Sequence, residues 1–153
     1  MRFEKTCLIA APVERLWDFI VDAKAVSACL PGLEEFRETE ANRYEGRVKL
    51  TVGPISLKLQ GRIAVIERDR ASWKARMSAE AKDARVPGDV KAEFTTRLAP
   101  AQGGTSLEIV TEAKILGKLG EFGQPIMKKT VDKYLTQFAD NISRALSGAA
   151  LAT

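Results

Sequence analysis

The stretch RYEGRVKLTVGPISLKLQGRIAVI, residues 43–66, decides the fold, because apolar or small residues alternate in it with charged or polar ones. Tyr44, Val48 and Leu50 share one face of its first half, and the second half repeats the pattern. A period of two is typical of a β-strand with one buried face. Gly53-Pro54 in the middle is a turn signal. The stretch therefore predicts a hairpin with one covered face and one face in water.

The same alternation recurs three more times downstream, at 72–80, 89–98 and 106–115. Turn signals separate these segments at Asp69-Arg70, Pro87-Gly88 and Gly103-Gly104. Residues 2–10 supply a further strand candidate near the N-terminus, and the period of two sets in from Leu33. The pattern predicts an antiparallel sheet of five or six consecutive strands, covered on one side only.

Three helical segments can supply that cover. Residues 13–22 follow Pro12 and place Val13, Leu16, Trp17 and Ile20 on one side. Residues 22–30 predict a short second helix with Asp22 as its N-cap and Pro31-Gly32 as its stop. The third runs from about Lys118 to Leu146, with Pro125 early in it and an apolar stripe made by Val131, Leu135, Phe138, Ile142 and Leu146.

This order of elements predicts an α+β fold of the helix-grip type. In it a curved antiparallel sheet wraps around a long C-terminal helix, and two short helices lie between the first and second strands. We expect one domain over residues 1–147 and a disordered tail at 148–153, since 153 residues suffice for one core.

Small side chains are unusually frequent on the predicted inner face of the sheet. They are Gly46, Gly61, Ala75, Ala79, Ala92, Thr96, Thr111 and Ala113. Two interpretations stay open. The small residues either let the helix approach closely over a solid core, or they leave an elongated apolar pocket with a few hydroxyls in its wall.

On the second interpretation, the pocket binds a lipophilic small molecule. The candidate ligand-binding residues are Trp17, Leu30, Leu50, Leu59, Trp73, Met77, Ala92, Phe94, Ile109, Thr111, Phe122, Ile126, Tyr134 and Phe138. For the aromatic members, packing in the core is the alternative role.

Composition argues against catalysis and against several other classes of protein. The sequence has no histidine, which removes Ser-His and Cys-His pairs and the commonest zinc ligand. The inner rows hold almost no carboxylate. We therefore predict no catalytic residue, no metal site and no cofactor. The net charge is +4, and the basic residues are interleaved with acidic ones rather than gathered into a basic stripe. Nucleic acid is therefore not an expected partner.

Cys29, in the string ACLPG at 28–32, admits three roles. It packs in apolar space where a helix ends, it forms part of a ligand-entry rim, or it shares a metal site with Cys7. A nucleophilic role is disfavoured, because the C-terminal end of a helix destabilises a thiolate. The segment 117–123, GKLGEFG, has the wrong spacing for a phosphate loop and predicts a flexible lead-in to the long helix.

No apolar run approaches the length of a membrane span, and the charged N-terminus is unlike a signal peptide. We therefore expect a cytoplasmic protein with reduced thiols. The basic side chains of the outer sheet face are expected to be solvated. Contact with an acidic partner or with anionic lipid at the inner face of the cell membrane stays open.

Three strings together resemble a known family. They are ACLPG at 28–32 after a helix bearing Trp17, the hairpin at 44–61, and LAPAQGGTSLEIVTEAKILGKLGEFGQP at 98–125. In this order, over about residues 3–146, they resemble the carbon monoxide dehydrogenase G-subunit family, which belongs to the START/Bet v 1-like (SRPBCC) helix-grip superfamily.

The resemblance implies an accessory protein rather than a catalytic component. It implies a molybdenum-containing carbon monoxide dehydrogenase or related hydroxylase as partner, a lipophilic quinone as ligand, and a link to membrane recruitment. Many family members carry a C-terminal extension for the membrane role. This sequence ends at Thr153 without one, so we expect at most weak peripheral contact with a membrane. An interaction module with a vestigial pocket is the alternative, and a cyclase or hydrolase of the same superfamily is a third.

Overall fold

The computed structural model describes the backbone of residues 1–151 and the side chains of residues 1–147. The elements in chain order are β1 (Arg2–Ile9), α1 (Val13–Ile20), α2 (Ala23–Ser27), β2 (Leu33–Glu40), β3 (Arg43–Val52), β4 (Ile55–Asp69), β5 (Lys74–Asp83), β6 (Gly88–Ala101), β7 (Gly104–Gly117), a 3-10 helix (Lys118–Phe122) and α3 (Gln124–Leu151). The predicted disordered tail covers residues 148–153. The side chains of these residues, and the backbone of 152 and 153, lie outside the described part of the chain, so the tail stays a prediction.

The strands form one antiparallel sheet in the order β1-β7-β6-β5-β4-β3-β2 within the described residues. Consecutive strands from β2 to β7 are neighbours, and β1 closes the far edge by pairing with β7. The long helix α3 lies across the inner face and packs most closely on β1, where Lys5 Nζ is 2.9 Å from Asp132 Oδ1. The predicted α+β helix-grip fold is confirmed.

A pair of facing glycines brings neighbouring strands close together in the half of the sheet that contains β3 and β4. Gly46 of β3 lies directly opposite Gly61 of β4. A Cβ on Gly61 would sit 2.4 Å from the carbonyl oxygen of Glu80, and one on Gly46 would sit 2.6 Å from that of Glu35. Backbone this close excludes any side chain at either position, which is typical of strand glycines where a sheet turns a corner.

The core is divided into two apolar clusters at opposite ends of the sheet. The larger cluster joins α1, the ends of β1, β6 and β7, and the middle and C-terminal part of α3, and it contains Leu16, Trp17, Cys29, Leu107 and Ile142. The smaller cluster joins the β3–β4 hairpin to the 3-10 helix through Val52, Leu57 and Leu119. The space between them forms the candidate site.

Several local predictions hold, and others need correction. Asp22 caps α2, since its Oδ1 accepts a hydrogen bond from the amide of Ala25 at 3.2 Å. The long helix begins at Gln124 rather than Lys118, because Gly117 and Gly123 both take positive φ and bracket a separate 3-10 turn. That turn buries Leu119 to 2% exposure, and the predicted flexibility of this lead-in to α3 stays a prediction.

The strand β2 could not be delimited from the sequence. The period of two expected from Leu33 is absent from its sequence, LEEFRETE, and its pairing with β3 shifts register between Leu33 and Glu35. A tight turn in which Asn42 adopts a φ of 64° joins it to β3. Such irregular, charged edge strands resist pairing with other chains.

Candidate functional site: an apolar cavity between sheet and helix

A cavity of about 420 Å³, partly open to solvent, lies between the inner face of the sheet and α3. Its floor follows from the strand register. Ala113, Ala92 and Ala79 are cross-strand neighbours on β7, β6 and β5. The next row passes through Ala81 and the glycine pair Gly61 and Gly46. Methyl groups and bare backbone stand where a solid core would need large side chains, so the interpretation as a pocket, rather than a solid core, fits the structure.

Larger side chains border this floor of small residues. On one side, Phe3, Thr111, Phe94, Met77 and Val65 form a continuous cross-strand row. From above, α3 contributes Val131, Tyr134 and Phe138, while α2 and the residues after it contribute Val26 and Leu30. The 3-10 helix adds Phe122 at the opposite end.

Most of the candidate ligand-binding residues are brought together here. Those that line the cavity are Leu30, Leu50, Leu59, Met77, Ala92, Phe94, Ile109, Thr111, Phe122, Tyr134 and Phe138. Their role in binding a ligand stays a prediction.

Trp17, Trp73 and Ile126 lie outside the cavity wall. Trp17 is 4% exposed in the larger cluster, where its ring meets that of Trp73 edge to face with centroids 5.8 Å apart. Trp73 precedes β5 in a turn with a φ of 53°, so strand parity does not apply to it. Ile126 is 39% exposed in the first turn of α3, near the β3–β4 turn.

Sequence reasoning omitted three aromatic residues from the candidate set. Phe3, Phe36 and Tyr44 all line the cavity, and the rings of Phe36 and Tyr44 stack with centroids 5.2 Å apart. The alternation in β3 already placed Tyr44 inward and could have identified it. For Phe36 no sequence signal existed, because the register shift in β2 hides its orientation.

The wall offers little acid or base chemistry. Among the described residues, Glu80 is the only carboxylate in the wall, and its side chain is 58% exposed and 3.8 Å from Arg62. The Tyr134 phenol is neutral at pH 7, and burial raises its pKa further above the ordinary value. The cavity is therefore lined by neutral groups, apart from the Glu80–Arg62 pair and Arg68, which bonds Asn42.

One fully buried side-chain hydroxyl in the wall lacks a partner among the described residues. Thr111 is 4% exposed, and its Oγ1 is the buried side-chain polar atom for which the described residues supply no hydrogen-bond donor or acceptor. By contrast, Ser27 Oγ in the same wall donates to the carbonyl of Lys24 at 2.8 Å.

Cys29 packs in the larger cluster at 4% exposure, and burial raises the pKa of its thiol. Its carbonyl accepts a hydrogen bond from Asn141 Nδ2 at 2.9 Å, which ties the end of α2 to α3. The packing role of Cys29 is thus confirmed, while Leu30 beside it faces the cavity. No group of three or more metal-ligating side chains occurs in the described part of the chain.

The basic side chains of the outer sheet face mostly have acidic neighbours. Arg76 contacts Glu93 and Glu67, and Arg47 lies 3.1 Å from Glu34. Within the described residues no helix combines the length and apolar character that a membrane crossing requires.

Comparison with known proteins identifies the family and the fold. Residues 6–147 match the family of the carbon monoxide dehydrogenase G subunit (CoxG). No curated protein matches the chain significantly. A conserved protein of Geobacillus kaustophilus superposes with a TM-score of 0.87 at 18% identity, covering 97% of each chain.

More distant solved structures share the fold. Ara h 8.0201 has a TM-score of 0.64 at 15% identity, with coverage of 100% of this chain and 99% of the other. The ZhuI aromatase/cyclase of Streptomyces sp. R1128 has a TM-score of 0.57 at 16% identity, with coverage of 98% and 93%. The latter shows that the architecture can also carry an enzyme.

Proposed function

Because this chain belongs to the carbon monoxide dehydrogenase G-subunit (CoxG) family, we propose that it is a non-catalytic accessory protein. It holds a lipophilic, quinone-like small molecule between the sheet and α3. It serves a molybdenum-containing carbon monoxide dehydrogenase or a related hydroxylase. Exchange of such a molecule between enzyme and membrane would bring the protein to the inner face of the cell membrane.

The observation that carries this proposal is the apolar cavity of about 420 Å³. Small-molecule sites in proteins typically occupy about 300–1,000 Å³ and are mostly apolar with a few placed polar groups. A ligand here would bind mainly by removing hydrocarbon surface from water, at about 25 cal/mol per Å². The wall of Ala79, Ala92 and Phe94 supports a flat or elongated hydrocarbon rather than a charged metabolite.

The arrangement of carboxylates supports a non-catalytic role. An acid or base inside an apolar cavity would carry a perturbed pKa and lie within reach of a ligand. Glu80 is exposed and paired, and Asp83, although buried, bonds to backbone amides outside the wall. Asp83 therefore lies away from the cavity, and Glu80, at its wall, stays exposed beside Arg62.

The first test is chemical. The protein is purified from its native cells, extracted with organic solvent, and the extract is analysed by mass spectrometry. We expect a lipophilic compound in stoichiometric amount. Protein that carries no lipid, and that takes up no quinone when it is supplied, would contradict the proposal.

A pair of variants on one strand tests the site. Ala92→Phe places a phenyl group in the cavity floor, and Ala99→Phe places the same group on the exposed outer face of β6. We expect Ala92→Phe to weaken ligand binding by at least about tenfold, since the ring occupies the ligand's space. Ala99→Phe should bind like the wild type.

The same variants separate ligand binding from partner binding. Both should still co-purify with the molybdenum enzyme if the docking surface lies outside the cavity. If Ala92→Phe also leaves the electron transfer from that enzyme to quinone unchanged, the cavity is vestigial and the protein is an interaction module only.

A further inference from the structure

We infer that Thr111 is the polar anchor of the cavity, and that the ligand carries a neutral oxygen on a flat ring which hydrogen-bonds to Thr111 Oγ1. This inference rests on the proposed function, because it assumes that the cavity holds a ligand. Beyond the proposed function, it names Thr111 as the residue that selects among apolar molecules, and a neutral oxygen as the group that Thr111 selects.

The first observation is the isolation of this hydroxyl. Two other buried hydroxyl groups among the described residues have partners: Thr105 Oγ1 donates to the carbonyl of Ala11 at 2.7 Å, and Ser27 Oγ donates to that of Lys24. Thr111 Oγ1 has no protein partner although the residue is 4% exposed. Unpaired buried polar groups are rare because they lose hydration without replacement. A valine would fill the same volume without that penalty, so packing alone does not account for the hydroxyl.

The second observation is where the hydroxyl lies. In the strand register Thr111 of β7 stands between Phe3 of β1 and Phe94 of β6. Cross-strand neighbours bring their side chains within about 5 Å, and all three residues line the cavity. A ring inserted here can pack against aromatic side chains on both sides. An oxygen at its edge would then meet the hydroxyl.

The third observation is the electrical neutrality of the surroundings. Tyr134 of α3 also lines the cavity and contributes a neutral phenol. No buried cation lies among the described wall residues to receive a carboxylate or a phosphate. A carbonyl or a hydroxyl is therefore the group that fits, because it accepts or donates one hydrogen bond without a charge to neutralise.

A matched set of rigid probes tests the inference. Fluorene and 9-fluorenone have the same flat outline and differ in one CH₂ or C=O group, and 9-fluorenol supplies the hydroxyl. Dissociation constants are measured by competition with a fluorescent apolar probe, for the wild type and for Thr111→Val. The quantity compared is the ratio of the fluorene constant to the fluorenone constant, in which differences in general affinity cancel.

We expect Thr111→Val to lower that ratio by about three- to tenfold, the value of one neutral hydrogen bond. Thr111→Ser should retain most of the preference because it keeps the hydroxyl. The ligand-free valine variant should be at least as resistant to unfolding by urea as the wild type, which separates a ligand-selecting role from a structural one.

Two control variants locate the effect. Ser27→Ala removes a wall hydroxyl that already has a partner, and Thr96→Val removes a wall hydroxyl one position along the inner row of β6 from Phe94. Both should keep the wild-type ratio. Loss of the preference in Thr96→Val but not in Thr111→Val would overturn the assignment.

The outcomes also distinguish this inference from the proposed function. If the wild type binds the probes but has the same ratio of fluorene to fluorenone dissociation constants as Thr111→Val, the role of Thr111 is refuted while ligand binding stands. If the wild type binds none of the probes and no quinone, the proposed function fails, and the anchor fails with it.

Discussion

At the scale of single residues, Asp83 shows how a buried carboxylate can be wholly structural. It lies at the end of β5, and its oxygens accept hydrogen bonds from the amides of Lys58, Arg85 and Val86 at 2.7, 2.6 and 3.1 Å. These bonds, led by that from the Lys58 amide, lower its pKa from 3.8 to about 2. Asp83 thereby fastens the β5–β6 loop to β4.

Asp83→Asn tests this fastening. Because the folded-state pKa lies below the ordinary value, the ionised carboxylate stabilises the fold above about pH 4, and this contribution is lost as the pH falls through about 2. We expect the asparagine variant to unfold at lower urea concentration at pH 7. The gap from the wild type should shrink to about half near pH 3.

The exposed Asp89, next to the same loop, provides the matched control as Asp89→Asn. This variant should track the wild type at every pH. A gap for Asp83→Asn that stays constant from pH 7 to pH 2.5 would contradict a role for the charge.

Inside regular strands, the sequence was enough to place side chains on the cavity face, and on α3 the apolar spacing placed Tyr134 and Phe138 there as well. Met77, Ala92 and Phe94 follow a strict period of two, and each lines the cavity. Trp73 and Ile126 were predicted to line the cavity but lie outside it. Trp73 sits in a turn with left-handed backbone, and Ile126 sits exposed at the start of a helix. The hydroxyl of Thr111 was visible in the sequence, but its lack of a partner depends on all of its neighbours in space.

At the scale of elements, the bend of the β3–β4 hairpin depends on Gly61. A Cβ there would meet backbone of β5 at 2.4 Å and the Cβ of Ala81 at 2.9 Å. Since neither atom belongs to a flexible side chain, the strands themselves would have to separate. The curvature that opens the cavity is therefore fixed at this point of the sheet.

We predict that Gly61→Ala lowers the free energy of unfolding by about 2–3 kcal/mol, as overpacking against backbone does. Gly53→Ala is the control. Gly53 has a φ of 57°, yet its Cβ would meet nothing closer than 3.8 Å, so only its backbone conformation is penalised. Gly53→Ala should cost about 1–2 kcal/mol, the penalty for a side chain in the left-handed conformation. Equal losses in urea titrations would show that β4 and β5 are not in close contact at Gly61.

Elements with clear apolar periodicity could be predicted from the sequence. Element boundaries that depend on backbone geometry could not. The helix α1 and strands β3 to β7 follow from apolar spacing. The start of α3 at Gln124 depends on the positive φ of Gly117 and Gly123, and the extent of β2 depends on a register shift. A sequence marks such glycines as breaks but does not tell which element they end.

At the scale of the whole molecule, the cavity separates the two apolar clusters. The sheet is continuous between them, but side chains such as Leu57 and Leu107 belong to different clusters. A bound apolar molecule would contact both ends and would join them into one core. Ligand binding should therefore stabilise the fold as a unit.

We predict that 9-fluorenone at ten times its dissociation constant raises the melting temperature by about 3–6 °C. The reason is that binding to the folded state alone adds about 1.4 kcal/mol at this concentration, and about 1 kcal/mol corresponds to 2–4 °C in a domain of this size. Differential scanning calorimetry of the wild type and of Ala92→Phe provides the measurement. The variant should show a shift near zero, and an equal shift in both would place binding outside the cavity.

The pairing of β1 with β7 also governs how the chain is made. Strand β1 is synthesised before its partner, which begins at Gly104, and α1 is synthesised before α3, which covers Leu16 and Trp17. At about 5–20 residues per second of synthesis, that delay lasts roughly 5–30 s. Until then Leu16 and Trp17 lack their partners from α3, so the larger cluster can close only once α3 has emerged from the exit tunnel.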